Sequence, residues 1–376
     1  MVDLAHRPVV YEPDLILVGP YPPPLGGVSA HVVRLAAGAR GHGLSVGIIN
    51  HFRTRPGDPR ILADLRRNPW RYWRVLRRVR ARVVHYHHAR WSTLLATAWA
   101  LRRSSARTVV TVHGRGLEVF LSSRVPMVAW LTRRALRSFD ELIAVSPEIG
   151  QALGAVVGHP VPVLPAYLDG CDDEDAALSS EADAFLRQGT SLVIAAYRLT
   201  ATPSGRTIYG LETALESFAS LGSLHPDLRL VIFLATPARS RRESRRLQEL
   251  LRRTLDRSLR PRVGIFYGQP LEPALRLAAV YLRPTLTDGD AVSVREALAA
   301  GVPVLASDVV TRPATVTALP LDTALWTQEI ARILNQGAAV HEREVVSRAD
   351  CLGELLDIYE RLGAVSHNAA RPVTVT

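Results

Sequence analysis

Short apolar runs alternate with helix-length segments along almost the whole of this chain, and few folds accept that alternation. Repeated strand–helix units argue for parallel sheets of the α/β type, because each connection must run back across a sheet face. Runs at 15–18, 45–50, 83–87, 107–112 and 141–146 form one series, and 161–165 is expected to close its sheet. A second series occupies 191–196, 228–234, 262–268, 280–284 and 302–307. Between them, the stretch 169–183 is acidic and rich in small residues, and its start suits a linker. A length of 376 residues also favours two domains. The expected plan is two doubly wound, Rossmann-like domains in series, facing a cleft. Their expected bounds are 1–168 and 187–344, with a linker region over 169–186, a last helix over 345–363 and a frayed tail over 364–376.

The most informative local segment is 281–308. It reads as strand, acidic turn, helix, tight Gly-Val-Pro turn and a second strand. Asp288 opens the turn, and Glu296 lies eight residues on, inside the helix. The first N–H groups of a helix lack intrahelical partners and sit at its positive dipole end, which makes an anion site. A diphosphate could rest on the backbone of Gly289, Asp290, Ala291 and Val292, while Glu296 accepts hydrogen bonds from sugar hydroxyls such as those of a ribose. That layout suits a nucleotide-sugar.

Three further positions stand at predicted strand ends, where open α/β sheets bind ligands. Gly26 and Gly27 follow the first strand and let a ligand approach the backbone, with Ser29 placed to cap the next helix. The alternative there is a plain turn with an N-cap, and no Gly-x-Gly-x-x-Gly is present. His113-Gly114 ends the strand 107–112. Arg198 ends the strand 191–196, where it is either an anion contact or a surface cation. His85, His87 and His88 cluster on another strand, but no acid is close in sequence, so no metal site is expected.

The segment 281–308, with its acid pair and Glu-Ala-Leu-Ala-Ala-Gly-Val-Pro-Val run, resembles the signature of retaining glycosyltransferases of the GT-B fold, specifically glycosyltransferase family 4. The wording around it looks closest to a bacterial branch that builds capsular and extracellular polysaccharides. The resemblance implies a nucleotide diphosphate sugar as donor, UDP- or GDP-linked, with no cofactor and no metal. It implies Asp288 and His113 as contacts of the donor sugar, Arg198 on the diphosphate, Glu296 on the ribose, and Gly26 and Gly27 beside the donor phosphates and the acceptor. It also implies a last helix that crosses back onto the first domain. The chain departs from the family at Asp288, where Glu is usual, and at Tyr209, where a lysine is usual; Arg206 is the expected second cation.

The formal charge is +11, and all 46 cations are arginines. Coding bias accounts for the missing lysine. With only Cys171 and Cys351, neither a disulfide framework nor a cysteine zinc site is expected. No signal peptide or apolar span is recognisable, so a cytoplasmic protein is expected. The stretches 60–82 and 124–137 mix arginines with Trp70, Tyr72, Trp73 and Trp130, a composition that suits an anionic membrane surface or a solvated face. A peripheral position on the inner face of the cell membrane would bring a glycan or polyprenyl-linked acceptor within reach. No aromatic-rich nucleic-acid motif is present. The competing functions are a nucleotide-sugar epimerase of the same fold and a non-catalytic basic binding scaffold.

Overall fold

The computed structural model describes residues 13–52, 61–66, 68–88, 90–168, 177–238, 240–336 and 350–364. The first domain comprises β1 (Leu15–Gly19), α1 (Gly27–Gly41), β2 (Val46–Asn50), β3 (Ile61–Asp64), α2 (Pro69–Arg77), β4 (Val83–His88), α3 (Trp91–Leu101), β5 (Arg107–Val112), α4 (Glu118–Leu121), α5 (Pro126–Leu136), β6 (Glu141–Ala144) and α6 (Pro147–Val157). The second comprises α7 (Ser180–Leu186), β7 (Ser191–Ala196), α8 (Leu211–Gly222), β8 (Arg229–Leu234), α9 (Arg241–Thr254), β9 (Val263–Tyr267), α10 (Glu272–Leu275), β10 (Ala278–Arg283), α11 (Val292–Ala299), β11 (Val304–Ser307), β12 (Thr317–Leu319) and α12 (Thr323–Asn335). The last helix, α13 (Cys351–Arg361), returns to the first domain.

Both sheets have six parallel strands, in the orders β3-β2-β1-β4-β5-β6 and β12-β11-β10-β7-β8-β9. Counted from its own first strand, each sheet has the same doubly wound order, 3-2-1-4-5-6. The fold is thus repeated although the sequence shows no repeat. In each sheet the order reverses beside the first strand, between β1 and β4 and between β7 and β10.

The apolar runs are continuous because both faces of each sheet are covered. Ile16 and Val18 of β1 pack under α2, α3, α5 and α6, while Leu15 and Leu17 face α1 and α13. In the second sheet Leu192 and Ile194 face α8, α9 and α12, and Val193 faces α7, α10 and α11. Burying each such side chain is worth about 1.5–3 kcal/mol. The first sheet closes differently from expectation: 161–165 contributes one parallel bridge, Ala144 to Val163, rather than a strand. Residues 180–186, which the sequence suggested as linker, form α7, whose Ala182 and Leu186 are buried against the second sheet. Part of the linker, 169–176, and part of the expected last helix, 345–349, lie outside the described residues, as do 365–376 of the tail. The crossing of α13 is fixed by burial of Leu355, Ile358 and Tyr359, and the Tyr359 hydroxyl meets His85 Nδ1 at 2.5 Å.

Candidate functional site

The carboxyl ends of the two sheets face each other, and both switch points open on the seam between the domains. From the first domain come the glycine turn after β1 and the histidines at the end of β4. From the second come Tyr197 and Arg198 after β7 and the acidic turn after β10.

Gly26 is the N-cap of α1 in extended backbone. Ser29 stands one turn in rather than at the cap; its Oγ accepts from the Gly26 N–H at 2.7 Å and donates back to the Pro24 carbonyl at 3.0 Å. A Cβ on Gly26 would lie 2.7 Å from the Tyr197 ring, so the glycine admits the second domain against the turn. Gly27 faces Val292 across the seam at ordinary contact distance. Gly289 is tighter: a Cβ there would sit 2.6 Å from the His113 carbonyl oxygen. The helix α11 begins at Val292, with Ala291 as its N-cap and no side-chain cap bond.

The acidic turn differs from expectation in how its carboxylates are used. Both oxygens of Asp288 are held by arginines: Arg283 Nη2 at 3.0 Å and Nε at 3.1 Å, and Arg312 Nη1 at 3.0 Å. Burial alone would raise the Asp288 carboxyl, but the two guanidinium groups outweigh it and hold it below the usual carboxylate range. Burial opposes the charge on Arg283, and Asp288 more than compensates. Asp288 thus anchors two cations, Arg283 and Arg312. Arg283 also lies over the Tyr209 ring, 5.1 Å from the centroid. Arg206 does not join this group; its Nη2 donates to Thr213 on α8 at 3.2 Å. Arg198 stays at the end of β7, half-buried, with Nε on Thr200 Oγ1 at 3.0 Å.

Asp290 and Glu296 bind across the seam. Asp290 accepts from Arg295 Nε at 2.7 Å on both oxygens and from the Ala166 N–H at 2.9 Å. Burial raises its pKa, with Arg295 opposing. Glu296 Oε1 accepts from Arg34 Nη1 of α1 at 2.8 Å, an ion pair only 11% and 9% exposed on its two side chains. Any ribose that Glu296 holds would share it with Arg34. A third seam contact runs from the Thr311 N–H to Glu148 Oε1 at 3.1 Å. The Thr311 side chain is the main reason the Glu148 carboxyl is lowered to about 2, with the backbone N–H adding to it.

The histidine cluster has a different membership from the one the sequence suggested. His85 is fully engaged, with Nδ1 on Tyr359 and Nε2 on Thr111 Oγ1 at 2.7 Å. His87 turns to His113, Nδ1 to Nε2, at 3.1 Å. His31 of α1 completes a trio with them, its ring centroid 5.2 Å from His87 and 5.0 Å from His113. Burial pushes all three pKa values down, that of His31 to about 4, so the rings are neutral near pH 7. His31, Arg34, Arg283 and Arg312 are the site residues that sequence reasoning missed. Arg283 stood within the signature segment, five residues before Asp288, but nothing in the sequence paired them.

Comparisons with known proteins agree with this architecture. Residues 25–166 match the model of Glycosyltransferase Family 4. A sucrose-phosphate synthase from Thermosynechococcus elongatus superposes with a TM-score of 0.69 at 17% identity, over 93% of this chain and 98% of that one. Anabaena HepE in complex with UDP gives 0.61 at 12% identity, over 94% and 100%. A Listeria monocytogenes protein provisionally described as a UDP-N-acetylglucosamine 2-epimerase gives 0.60 at 13% identity, over 94% and 98%. No curated protein matches the sequence. At these identities the structural likeness establishes the fold: the chain has the GT-B architecture, two facing Rossmann-like domains.

Proposed function

We propose that the protein is a retaining glycosyltransferase that moves a sugar from a UDP- or GDP-linked donor to a hydroxyl acceptor in polysaccharide or cell-envelope assembly. The observation that carries this reading is the unequal charge at the second switch point. Arg283 and Arg312 outnumber Asp288 by one, Arg198 adds another cation, and the start of α11 lies beside them. Such a wall suits a diphosphate whose charge grows as it departs. In this reaction the bond from the anomeric carbon to the phosphate oxygen breaks. The acceptor oxygen bonds to the same face of that carbon, and its proton passes to the departing phosphate. Arg198, Arg283 and the helix N–H groups take the charge, so no metal is needed there. His113, neutral and held by His87, contacts the donor sugar, and Glu296 the ribose.

A nucleotide-sugar epimerase would need a carboxylate poised to abstract a proton. Here Asp288, Asp290, Glu296 and Glu148 are each engaged with an arginine or a backbone N–H, which favours transfer. Incubation with UDP- and GDP-sugars separates the two. Slow donor hydrolysis, retained configuration by NMR and activity that survives EDTA are expected. Accumulation of a C2 epimer would replace this reading with the epimerase.

The acceptor side has an exposed aromatic face. Trp70, Trp99, Met127 and Trp130 are exposed on the neighbouring helices α2, α3 and α5, with Arg77 over Trp99 and Arg134 over Trp130. Tyr72 is buried and Trp73 half-buried, so the aromatic partners of the arginines differ from those suggested by sequence. No described helix is long and apolar enough to cross a membrane. Rings at headgroup level with arginines on anionic lipid would hold the domain on a surface, each cation contributing about 1 kcal/mol. A polyprenyl-linked glycan would be presented there. Flotation should require anionic vesicles and fade with salt; equal recovery on neutral vesicles removes the membrane from this proposal.

A further inference from the structure

His31, His87 and His113 come from α1, the end of β4 and the turn after β5, and each can bring one ring nitrogen to within 4.8 Å of the other two. His85, the neighbour in sequence, is excluded because both of its nitrogens are bonded. The His31 Nδ1 stands 2.6 Å from the Ala166 carbonyl oxygen, which can only accept. In the neutral ring the proton is therefore on Nδ1, and Nε2 carries a bare lone pair. That Nε2 is buried with no partner among the described residues, and so is the Nε2 of His87. A buried polar atom without a partner costs about 1–3 kcal/mol, so two in one cluster call for a reason.

We propose that His31, His87 and His113 form a binding site for a borderline transition-metal cation such as Zn²⁺. Three imidazoles are the donor set such ions select over Mg²⁺ or Ca²⁺, which prefer oxygen. His31 already has the outer partner common to ligating histidines, a backbone carbonyl on its other nitrogen. The N–H of the same residue, Ala166, donates to the Asp290 carboxylate at 2.9 Å. Metal–nitrogen bonds of about 2.0–2.1 Å in a tetrahedron place the nitrogens about 3.3–3.4 Å apart. The nitrogens lie within 4.8 Å of one another, so the rings need to close by up to about 1.5 Å. Capture replaces the hydrogen bond between His87 and His113. Because the proposed function puts His113 on the donor sugar, an occupied site blocks transfer; this second effect rests on that reading. Zinc is thus an inhibitor and not a cofactor here.

The probe is Co²⁺ added to the full chain after chelator treatment, read by its visible absorption, followed by displacement with Zn²⁺. One tetrahedral Co²⁺ per chain is expected, displaced by one equivalent of Zn²⁺. His31→Asn keeps an N–H for Ala166 but lacks the distal nitrogen; it should bind about tenfold or more weakly. Its melting temperature in chelator shows whether it is folded, and His87→Gln is the second variant. The exposed His42→Gln should bind as the parent does. No Co²⁺ spectrum, or one unchanged in both folded variants, overturns the site. Transfer assays with and without Zn²⁺ are read separately. Binding without any transfer under any condition leaves the site standing and sinks the functional reading instead; undiminished transfer at saturating Zn²⁺ removes the inhibitory role.

Discussion

The two domains share one strand order but fill their switch points with opposite chemistry. The first domain ends its strands in neutral imidazoles, among them His87, His88 and His113. The second ends them in arginines and ion-paired carboxylates. A sheet end offers a place for ligands and says nothing about which ligand. In the proposed reaction the side chains there divide the work, with an uncharged wall for a sugar and a cationic wall for a diphosphate. The seam contacts follow this division. Each cross-domain bond at Asp290, Glu296 and Glu148 satisfies a carboxylate with a donor from the other domain.

The largest test of this contrast is Asp288→Ala. It leaves Arg283 and Arg312 buried without their counter-ion, and breaking such a pair costs about 3–5 kcal/mol. In calorimetry the transition of the second domain should fall while that of the first holds. An unchanged second transition would mean that the arginines find other partners and that the cationic wall does not depend on Asp288. Next in size is Arg198→Met. Removing one charge-stabilising donor lowers kcat by about 10²–10³, whereas the neutral wall predicts no such loss for a cation on the sugar side. Wild-type kinetics in the folded variant would take Arg198 off the diphosphate.

Acid separates the domains by a further step. Burial lowers the pKa of His51 to about 3 and of His88 to about 4, against 6.5 for the open ring. Between those values the unfolded chain binds the extra protons, so stability is full above about pH 6.5 and falls as the pH drops towards 3–4. At pH 4.5 each of these histidines has withdrawn about 2 to 3 kcal/mol. Asp288 is held below its usual range, so its contribution persists at that pH. The first domain should therefore melt earlier than the second on acidification from pH 7 to 4.5. Parallel shifts of both transitions would show that the histidines are reached by water. The smallest expected effect is that of Glu296→Gln. It keeps the shape and a neutral acceptor for Arg34 but removes the counter-charge, so donor affinity should fall by about tenfold and melting should fall by less than in Asp288→Ala. Equal affinity for UDP in the Gln variant would remove Glu296 from the donor site.

The sheets were legible because strands covered on both faces read as uninterrupted apolar runs. The two strands that escaped notice are both edge strands. β3 lies in an arginine-rich stretch whose composition suits a basic face, and β12 has three residues, none of them buried. An edge strand is covered less completely, so it carries a weaker pattern. At the site, the spacing of Asp288 and Glu296, the glycine turn and the positions of His113 and Arg198 could all be read locally.

What the sequence by itself determined is what short-range physics controls: the strand–helix alternation, the place of each strand end and the start of α11. These depend on periodicities and caps within a few residues. What only the tertiary structure decided is who pairs with whom. Arg34 reaches Glu296 across 262 positions, and His31 lies 135 positions before the carbonyl that sets its tautomer. Arg312 arrives at Asp288 from the loop after β11. Such partners are chosen by the packing of two sheets end to end. Once both are buried, the low dielectric makes each unpaired charge costly and each available partner decisive.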